Sequence, residues 1–561
     1  MSTSRIVGAA AVAALTLLST AVSGSAQAAA TTPTEYTVVA ESGVSTSAAT
    51  AAISAAGGTV VARNDAVGLF RVTSTRADFT AAVAESGALI GANLRAPIGR
   101  SPKRVPLEAG VQSVATAEAL PAATNVVTAA RAGSNAGLDP LDTKLWGLKS
   151  VRADRARSVE AGERGITVGV LDTGLDASNP DLAPNFSASL SRNFAPDIPE
   201  DGPCEVASCL DPVGTDDGGH GTHVAGTIGA AANGAGISGV APNITLVELK
   251  GGQDSGSFFL ESVVNALTYS GDAGLDIVNM SFYVDPWLYN CTANSADSPA
   301  EQAGQQATIA GMRRALEYAH NKGVTLIGAL GNNHEDLGAP RTDTSSPNFG
   351  GTPRPRRIDN ASCWDLPVEG PHVIGVSSTG PSGAKADYSN YGVEQISVAA
   401  PGGFRADYYG TSSFNSVTNQ ILSAYPLKVL REEGKVDAAG NVRSSYASSV
   451  FKRCTTAGAC GYYTYLQGTS MAAPHASGVA ALIASKYGTP DTARGGLTIN
   501  PDTLEQRLYD SAAPKSCPSP RLKTYTREGR STEYNAYCSG DANFNGFYGH
   551  GIVDAYAGVT Q

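Results

Sequence analysis

Short apolar runs of strand length alternate with longer segments of helical character along most of the chain after residue 160. Glycine, proline and polar residues bound the runs, whereas the longer segments repeat their apolar residues with a helical period. The predicted strands span 166–172, 245–249, 276–281, 323–330, 373–377 and 396–399, and the predicted helices span 220–232, 258–269, 307–321 and 476–487. Repeated alternation of this kind predicts an α/β domain with a mostly parallel sheet and helices on both faces.

The first hundred residues have a different pattern. Strands are predicted at 36–40, 59–62, 68–72 and 89–94, and helices at 45–56 and 76–86, with Thr75 as a cap. This βαββαβ order predicts a small ferredoxin-like α+β domain over residues 31–100. Residues 97–137 show little periodicity, so we expect an exposed, cleavable linker over 101–140 and a large domain over 141–561.

Three stretches of the large domain look like insertions between predicted elements. They span 204–217, 285–306 and 408–463. The last contains charged sequence at 431–435, which we interpret as a solvated surface.

The amino terminus has the pattern of a secretory signal peptide, residues 1–30. Arg5 precedes an apolar run at 6–18, and small residues at 26–28 and 28–30 offer cleavage sites. No later stretch approaches the about 20 apolar residues of a membrane helix, and the carboxyl end has no hydrophobic anchor. We therefore expect an exported, extracellular protein without a membrane anchor.

Charge is unevenly distributed along the chain, whose net charge is −11. The first 130 residues carry 8 basic and 7 acidic residues, and the remainder carries 32 basic and 44 acidic residues, or −12. An acidic large domain argues against nucleic acid or an anionic membrane as its partner.

All 8 cysteines lie after residue 203, and their number suits an oxidising compartment. Proximity suggests the pairs Cys204/Cys209, Cys454/Cys460 and Cys517/Cys538, which leaves Cys291 and Cys363 together. Other pairings remain open on sequence alone. A metal cluster is the alternative, but no Cys-x-x-Cys motif supports it.

Three side chains with the chemistry of acyl transfer stand in separate parts of the chain. Asp172 ends a buried apolar run, His220 stands at a glycine-rich helix entry, and Ser470 stands at a sharp entry into an alanine-rich helix. A serine becomes a nucleophile when an imidazole removes its proton, and a carboxylate orients that imidazole. Asn332 follows another strand, where its amide could stabilise an oxyanion. The alternative is an ordinary buried helix that Ser470 caps, with Pro474 in its first turn.

Three motifs in the order Asp, His, Ser strongly resemble the subtilisin-like serine proteases, or subtilases. They are Val-Leu-Asp-Thr-Gly at 170–174, His-Gly-Thr-His-Val-Ala-Gly at 220–226 and Gly-Thr-Ser-Met-Ala-Ala-Pro at 468–474. Asn-Met-Ser at 279–281, Gly-Asn at 331–332 and Gly-His-Gly-Ile-Val-Asp-Ala at 549–555 also match. The resemblance covers residues 141 to about 558.

The resemblance implies a subtilisin-like three-layer domain and a serine endopeptidase that forms an acyl-enzyme. Asp172, His220 and Ser470 would be the triad and Asn332 the oxyanion donor, whereas His223 would be structural. The chemistry would need no cofactor, the substrates would be polypeptides, and we expect a monomer. In parallel sheets functional groups gather at the carboxyl ends of strands. Asp172 ends one predicted strand and Asn332 follows another, so both lie at such ends.

The resemblance also indicates where an extended substrate would lie. The flanking segments would be Ser255-Gly256 and Ser281-Phe282-Tyr283, with Gly331 beside Asn332. The family usually has an aliphatic residue and then glycine where this chain has Phe282 and Tyr283. We expect these side chains to narrow the pocket for the residue before the scissile bond and to favour small residues. Alternatively, the loop is repacked by the stretch beginning at Asp285. Leu330, where the family usually has alanine, is interpreted as a packing change.

The family often binds structural calcium, and Asp181 and Asn233 match ligand positions. Loop oxygens of this kind suit Ca²⁺, but an aspartate satisfied by turn N–H groups is an equal alternative.

The α+β domain resembles a subtilase propeptide, which would assist folding and inhibit the enzyme until removed. The processing site would lie between Arg104 and Leu141. Alternative functions are a narrowly specific processing peptidase, an exopeptidase or esterase, or a catalytically silent binding protein.

Overall fold

A computed structural model describes residues 33–95, 139–197, 204, 206–339, 341–348, 351–492 and 495–561. The predicted signal peptide and nearly all of the linker, including its processing site, lie outside these ranges. None of the helices within them is both long and apolar enough to cross a bilayer.

The amino-terminal domain has the predicted βαββαβ order. Its elements are β1 Thr34–Ala40, α1 Thr46–Ala55, β2 Thr59–Asn64, β3 Leu69–Ser74, α2 Phe79–Ala84 and β4 Leu89–Leu94. The strands form an antiparallel sheet in the order β2-β3-β1-β4. Helix α2 is shorter than predicted and begins at Phe79, with Asp78 at the N-cap position and paired with the Arg76 guanidinium. The predicted cap at Thr75 is therefore wrong.

The large domain begins with short helices and then alternates strands and helices. Up to its last sheet strand the elements are α3 Trp146–Ser150, α4 Ala153–Ala156, β5 Thr167–Asp172, β6 Arg192–Asn193, α5 His220–Gly229, β7 Thr245–Lys250, α6 Leu260–Ala273, β8 Ile277–Met280, β9 Asn290–Cys291, α7 Pro299–Asn321, β10 Thr325–Ala329, β11 Thr342–Asp343, β12 Arg356–Arg357, β13 Cys363–Trp364, β14 Val373–Thr379 and β15 Val398–Pro401. The remainder contains β16 Ile421–Ala424, α8 Leu427–Glu432, β17 Val450–Cys454, β18 Cys460–Leu466, α9 Thr469–Tyr487, β19 Thr489–Pro490, β20 Leu497–Thr498, α10 Pro501–Ser511, β21 Leu522–Lys523, β22 Ala536–Tyr537 and α11 Ala555–Thr560.

Seven strands form the central sheet in the order β15-β14-β10-β8-β5-β7-β6, and every pairing is parallel. Side chains alternate between its faces, because neighbouring residues of a strand point in opposite directions. Val170 packs with the core that includes α5 and α9, whereas Leu171 packs with the core that includes α6 and α7. The predicted three-layer α/β architecture is confirmed.

Helix α7 begins eight residues earlier than predicted. Ser298 and Glu301 form a capping box around Pro299, the first helical residue. This N-terminal signature lies inside the stretch that we interpreted as an insertion, so part of that stretch belongs to the helical layer.

The stretch 408–463, which we interpreted as an insertion, also contains regular secondary structure. Strands β16 and β17 pair with β18 in an antiparallel three-stranded sheet that leads into α9. The charged residues at 431–433 are exposed, as expected.

All four cysteine pairs suggested by proximity form disulfides: Cys204–Cys209, Cys291–Cys363, Cys454–Cys460 and Cys517–Cys538. No cysteine is free. The metal-cluster alternative for the cysteines is thereby removed.

Candidate active site

Asp172 and His220 form a buried pair between two elements. Asp172 is the last residue of β5 and His220 is the first residue of α5. The His220 Nδ1 atom lies 2.7 Å from Asp172 Oδ1, which also accepts the Thr173 N–H at 2.8 Å. Because a carboxylate can only accept, Nδ1 carries the proton and Nε2 is left as the basic nitrogen of the neutral ring.

Glycines and a capping carboxylate allow α5 to begin at this point. Gly219 has a φ of +89°, and a Cβ on Gly221 would lie 2.1 Å from the Gly174 carbonyl oxygen. Asp216 accepts N–H groups from Gly219 at 2.8 Å and Thr222 at 2.9 Å. Sequence reasoning missed Asp216, although an aspartate just before a glycine-rich helix entry is a recognisable capping signal.

Ser470 is the second residue of α9 and not its cap, so the capping expectation is wrong. The N-cap position is Gly468, which has no side chain to bond the helix. Pro474 lies inside the helix, and its missing N–H leaves the Ser470 carbonyl without its usual partner four residues on. The Ser281 hydroxyl donates to this carbonyl at 3.2 Å, and the Ser470 hydroxyl lies 3.3 Å from the Ser281 carbonyl, to which it donates.

A chain of hydrogen bonds behind Ser281 fixes its position. The Asn279 Nδ2 group donates to the Ser281 hydroxyl at 2.9 Å, and the Ser477 hydroxyl donates to Asn279 Oδ1 at 2.9 Å. Strand β8 and helix α9 are thereby locked together next to Ser470. The shared Asn-Met-Ser motif acquires a physical role in this network.

Asn332 is held in one orientation by the residue before Ser470. Its Oδ1 atom accepts the Thr469 N–H at 2.9 Å and the Thr469 hydroxyl at 3.0 Å. A backbone N–H requires an oxygen acceptor, so the Nδ2 donors lie on the other side of the amide. The Gly331 N–H donates to the Thr469 hydroxyl at 3.1 Å, which ties both residues of the Gly-Asn pair to the start of α9.

His223 lies one helical turn after His220 and has a structural environment. Its Nε2 atom lies 3.1 Å from the Ile421 carbonyl and 3.2 Å from the Thr464 carbonyl. Burial, reinforced by His220, lowers the pKa of His223 to about 3. This neutral ring joins α5 to the antiparallel sheet of β16, β17 and β18.

A buried lysine supports the backbone next to Asp172. The Lys250 ammonium donates to the Thr173 carbonyl at 2.9 Å and pairs with Asp254 at 2.7 Å and Asp211 at 3.0 Å. Burial acts to lower the pKa of Lys250, but these carboxylates raise it above its ordinary value. Asp197, Asp211 and Asp254 lie close enough together to hold a cation, and the ammonium already supplies a positive charge there.

A second group with metal-ligand chemistry contains His320, His372 and Asp502 near the surface. His320 Nε2 lies 3.0 Å from Asp502 Oδ1, and the two imidazole rings stack with centroids 3.8 Å apart. Ring stacking and the carboxylate contact account for this arrangement, so we assign no metal to it.

Asp181 and Asn233, the residues matched to a calcium site, accept hydrogen bonds from the protein with their side-chain oxygens. Asp181 accepts the Ile237 N–H at 2.8 Å, the Gly236 N–H at 3.3 Å and the Tyr463 hydroxyl at 2.7 Å. Burial raises the pKa of Asp181 to about 6. Asn233 Oδ1 accepts the Ala235 N–H at 2.9 Å. Turn N–H groups and the Tyr463 hydroxyl satisfy these oxygens, in agreement with the alternative to a calcium site, and calcium binding stays a prediction.

The segments expected to flank a substrate lie on either side of an aromatic stack. Gly256 has a φ of +85° and donates its N–H to the Gln253 carbonyl at 2.8 Å, which closes a turn that contains Ser255. The Phe282 ring stacks on Phe258 with centroids 4.0 Å apart and an interplanar angle of 3°.

Tyr283 and Leu330 are the other two positions at which the chain departs from the family pattern. The Tyr283 hydroxyl accepts a hydrogen bond from Asn348 at 2.9 Å. The same Asn348 side chain donates to Asp285 at 2.6 Å, so the stretch beginning at Asp285 does pack against this loop. Leu330 is fully buried in an apolar cluster, in agreement with a packing change.

The sequence matches a family profile described as the Subtilase family over residues 163–551. Among characterised proteins, the chain is 27% identical to subtilisin DY of Bacillus licheniformis over 62% of this chain and 86% of that protein. It is 26% identical to thermitase of Thermoactinomyces vulgaris over 65% of this chain and 91% of that protein.

Solved structures share the fold at lower sequence identity. The epidermin leader peptide processing serine protease of Staphylococcus aureus superposes with a TM-score of 0.58 at 19% identity, over 94% of this chain and 98% of that one. Fervidolysin of Fervidobacterium pennivorans superposes with a TM-score of 0.52 at 21% identity, over 94% of this chain and 61% of that one. At these identities the similarity concerns the fold alone.

Proposed function

The chain belongs to the subtilase family of serine proteases, and on that premise we propose that it is a secreted serine endopeptidase made as an inhibited precursor. Asp172, His220 and Ser470 would act as the catalytic triad. The observation that carries this proposal is the 2.7 Å contact between His220 Nδ1 and a fully buried Asp172 carboxylate, because it leaves Nε2 basic.

The proposed reaction has two similar halves. His220 Nε2 takes the Ser470 hydroxyl proton as Oγ attacks the scissile carbonyl carbon. Asp172 stabilises the resulting imidazolium, which then protonates the leaving amine. A water molecule repeats the attack on the acyl-enzyme and regenerates Ser470.

Asn332 is the proposed donor to the oxyanion. Its Oδ1 atom is committed to Thr469, so Nδ2 is the part of the amide that can meet negative charge on a substrate oxygen. A donor held in place before the reaction needs no reorganisation as the charge develops, which is why such groups lower the barrier. No group in this sequence of steps requires a metal or organic cofactor.

Residues 31–100 are the proposed inhibitory propeptide. Arg95, the last described residue of this domain, pairs with Glu261 at the start of α6. The Ser255-Gly256 segment lies just before α6, so Arg95 contacts the helix that follows a proposed substrate-flanking segment. Removal of this domain from the monomer outside the cell would release the active peptidase.

A narrowly specific processing peptidase is the second candidate function. It is favoured by Phe282, whose stacking on Phe258 connects the two proposed flanking segments with rigid aromatic surface. Such a site would accept few sequences, whereas an open cleft would accept many.

Replacement of the nucleophile tests the proposal. We expect Ser470→Ala to reduce hydrolysis of casein, or of the best peptide in a library, by about 10⁴-fold or more. The Tm should change little, because the change removes one hydroxyl. Ser485→Ala, which removes a hydroxyl from the same helix far from its start, is the matched control. Full peptidase activity in Ser470→Ala would refute the proposal, and cleavage at only a few library sequences would favour the second candidate.

A further inference from the structure

Asp365 is a buried carboxylate that the reaction described above does not use. It follows β13 directly, and only 3% of the residue is exposed. Its side chain accepts no hydrogen bond and forms no ion pair with any residue in the described part of the chain. A carboxylate in such surroundings is costly to ionise unless a positive partner is supplied.

Two proposed substrate-flanking segments converge on Asp365. A Cβ on Gly331 would lie 3.5 Å from the Asp365 Oδ2 atom and 2.4 Å from Asn390 Nδ2, so the carboxylate lies next to this glycine, beside the Asn390 amide. On the other side, the Val284 N–H donates to the Leu366 carbonyl at 2.8 Å, which places Asp365 beside Tyr283. Gly331 is bonded to Thr469, and Tyr283 follows Ser281, so both segments lead directly to Ser470.

The charges that act on Asp365 are all negative. Burial raises its pKa well above the ordinary value, and the carboxylates of Glu369 and Asp343 raise it further. Asp343 is neutralised by the Arg356 guanidinium at 3.3 Å, whereas Glu369 accepts the Asp365 N–H and has its own pKa raised to about 8 by burial. Among the described residues no positive charge acts directly on Asp365, so a cationic side chain of the substrate could supply one.

We propose that the region between Gly331 and Tyr283, next to Asp365, binds the guanidinium or ammonium group of an arginine or lysine preceding the scissile bond. Asp365 is thus a specificity-determining residue of the proposed peptidase. A planar guanidinium can donate two parallel hydrogen bonds to one carboxylate, so arginine should be preferred to lysine. The inference rests on the proposed function and replaces the expected preference for small residues.

Substrate binding should also change the ionisation of this site. An incoming cation stabilises the Asp365 carboxylate and opposes the effect of burial, so the pKa of Asp365 should fall when the complex forms. The titratable groups facing Asp365 are Glu369, Asp343, Tyr283 and Tyr289. The two tyrosines are held neutral, because burial raises the pKa of each.

The test compares peptides that differ only in the residue before the scissile bond. Arginine, lysine, citrulline, alanine and phenylalanine are suitable, because citrulline has the shape of arginine without its charge. For the wild-type protein we expect kcat/KM to be about 100-fold or more higher for arginine than for citrulline. Asp365→Asn should reduce this ratio to below about 10-fold, with citrulline cleavage unchanged or improved. Glu317→Gln, which removes one exposed charge from α7, should leave the ratio unchanged.

A binding measurement separates this inference from the proposed function. In the Ser470→Ala background, benzamidine should bind the chain with an intact Asp365 at least about 10-fold more tightly than the Asp365→Asn variant. Preference for alanine or phenylalanine, or equal cleavage of arginine and citrulline peptides, would overturn the inference while leaving the peptidase proposal intact. If no peptide of any sequence is cleaved and benzamidine binds equally to both variants, both proposals fail.

Discussion

The side chains next to Ser470 each make a different hydrogen bond that holds part of the candidate active site in place. Thr469 orients the Asn332 amide. The Ser281 hydroxyl donates to the Ser470 carbonyl, which has no helical partner because Pro474 lacks an N–H. The charge-bearing groups are placed by contacts across long stretches of sequence, as between His220 and Asp172. Activity should therefore depend on single atoms of these side chains and not only on their volume.

The Asn332 amide offers a test at the scale of two atoms. Asn332→Asp keeps an oxygen acceptor for Thr469 but removes the Nδ2 donor and adds negative charge. We expect kcat to fall by about 100- to 1000-fold with little change in KM, because the donor acts on charge that develops in the transition state.

Asn333→Asp provides the matched control, since it makes the same chemical change one residue later. Steady-state kinetics on one peptide would suffice for all three proteins. A loss below about 3-fold in Asn332→Asp would exclude the amide as the oxyanion donor.

Motifs singled out Asp172, His220, Ser470 and Asn332 because each belongs to a short, distinctive sequence. Lys250 and Asp365 were missed for a physical reason. Each is explained only by residues that are distant in sequence, such as Thr173 for Lys250 and Gly331 for Asp365. A charged residue within an apolar run is the signal that could have identified both.

At the scale of elements, the parallel strands carry polar groups into the interior. Strand β7 places Leu246, Glu248 and Lys250 on the same face of the sheet, so two ionisable side chains are buried beside residues of the apolar core. The alternation of apolar residues predicted this strand well. The beginnings of α7 and α9 were less predictable, because a capping box and a proline inside a helix determine them.

Glu248 should make stability depend on pH. Burial raises its pKa to about 8, although the Gly214 N–H, which donates to it at 2.6 Å, lowers it in part. The folded state thus holds this proton more tightly than the unfolded state. Stability from the group is fully present below the unfolded pKa of 4.5 and is lost as the pH rises through about 8.

Glu248→Gln keeps a neutral acceptor for Gly214 at every pH. We expect it to raise the Tm by several degrees at alkaline pH and to have a vanishing effect as the pH falls towards the unfolded pKa. Differential scanning calorimetry across this range measures the trend, with exposed Glu317→Gln as the control. An effect of constant size at all pH values would contradict the assignment.

At the scale of the whole molecule, the amino-terminal domain packs against α6 and α7. Asn93 donates to the Gly304 carbonyl at 3.0 Å, and the Arg314 guanidinium donates to the Ala40 carbonyl at 2.8 Å. The docking face was not predictable, because its polar contacts pair residues that are distant in sequence, with separations from 166 to 274 positions. The two folds themselves were predictable from periodicity and motif order.

Gly91 allows a close approach between the two domains. A Cβ at this position would lie 2.1 Å from the Ala303 carbonyl oxygen, whereas a Cβ on Gly87 would meet no atom within 4 Å. We expect the separate amino-terminal domain carrying Gly91→Ala to inhibit the mature peptidase at least about 10-fold more weakly than the unchanged domain. Gly87→Ala should inhibit normally, and equal inhibition by both variants would argue against this docking mode.

The most direct measurement of the central claim is covalent labelling of the mature, secreted form with phenylmethylsulfonyl fluoride, followed by mass spectrometry of its peptides. We predict one sulfonyl adduct on Ser470, in proportion to the loss of peptidase activity, and strongly reduced labelling in His220→Ala. An adduct on another residue that tracks the loss of activity, or an active protein that is never labelled at Ser470, would contradict the account.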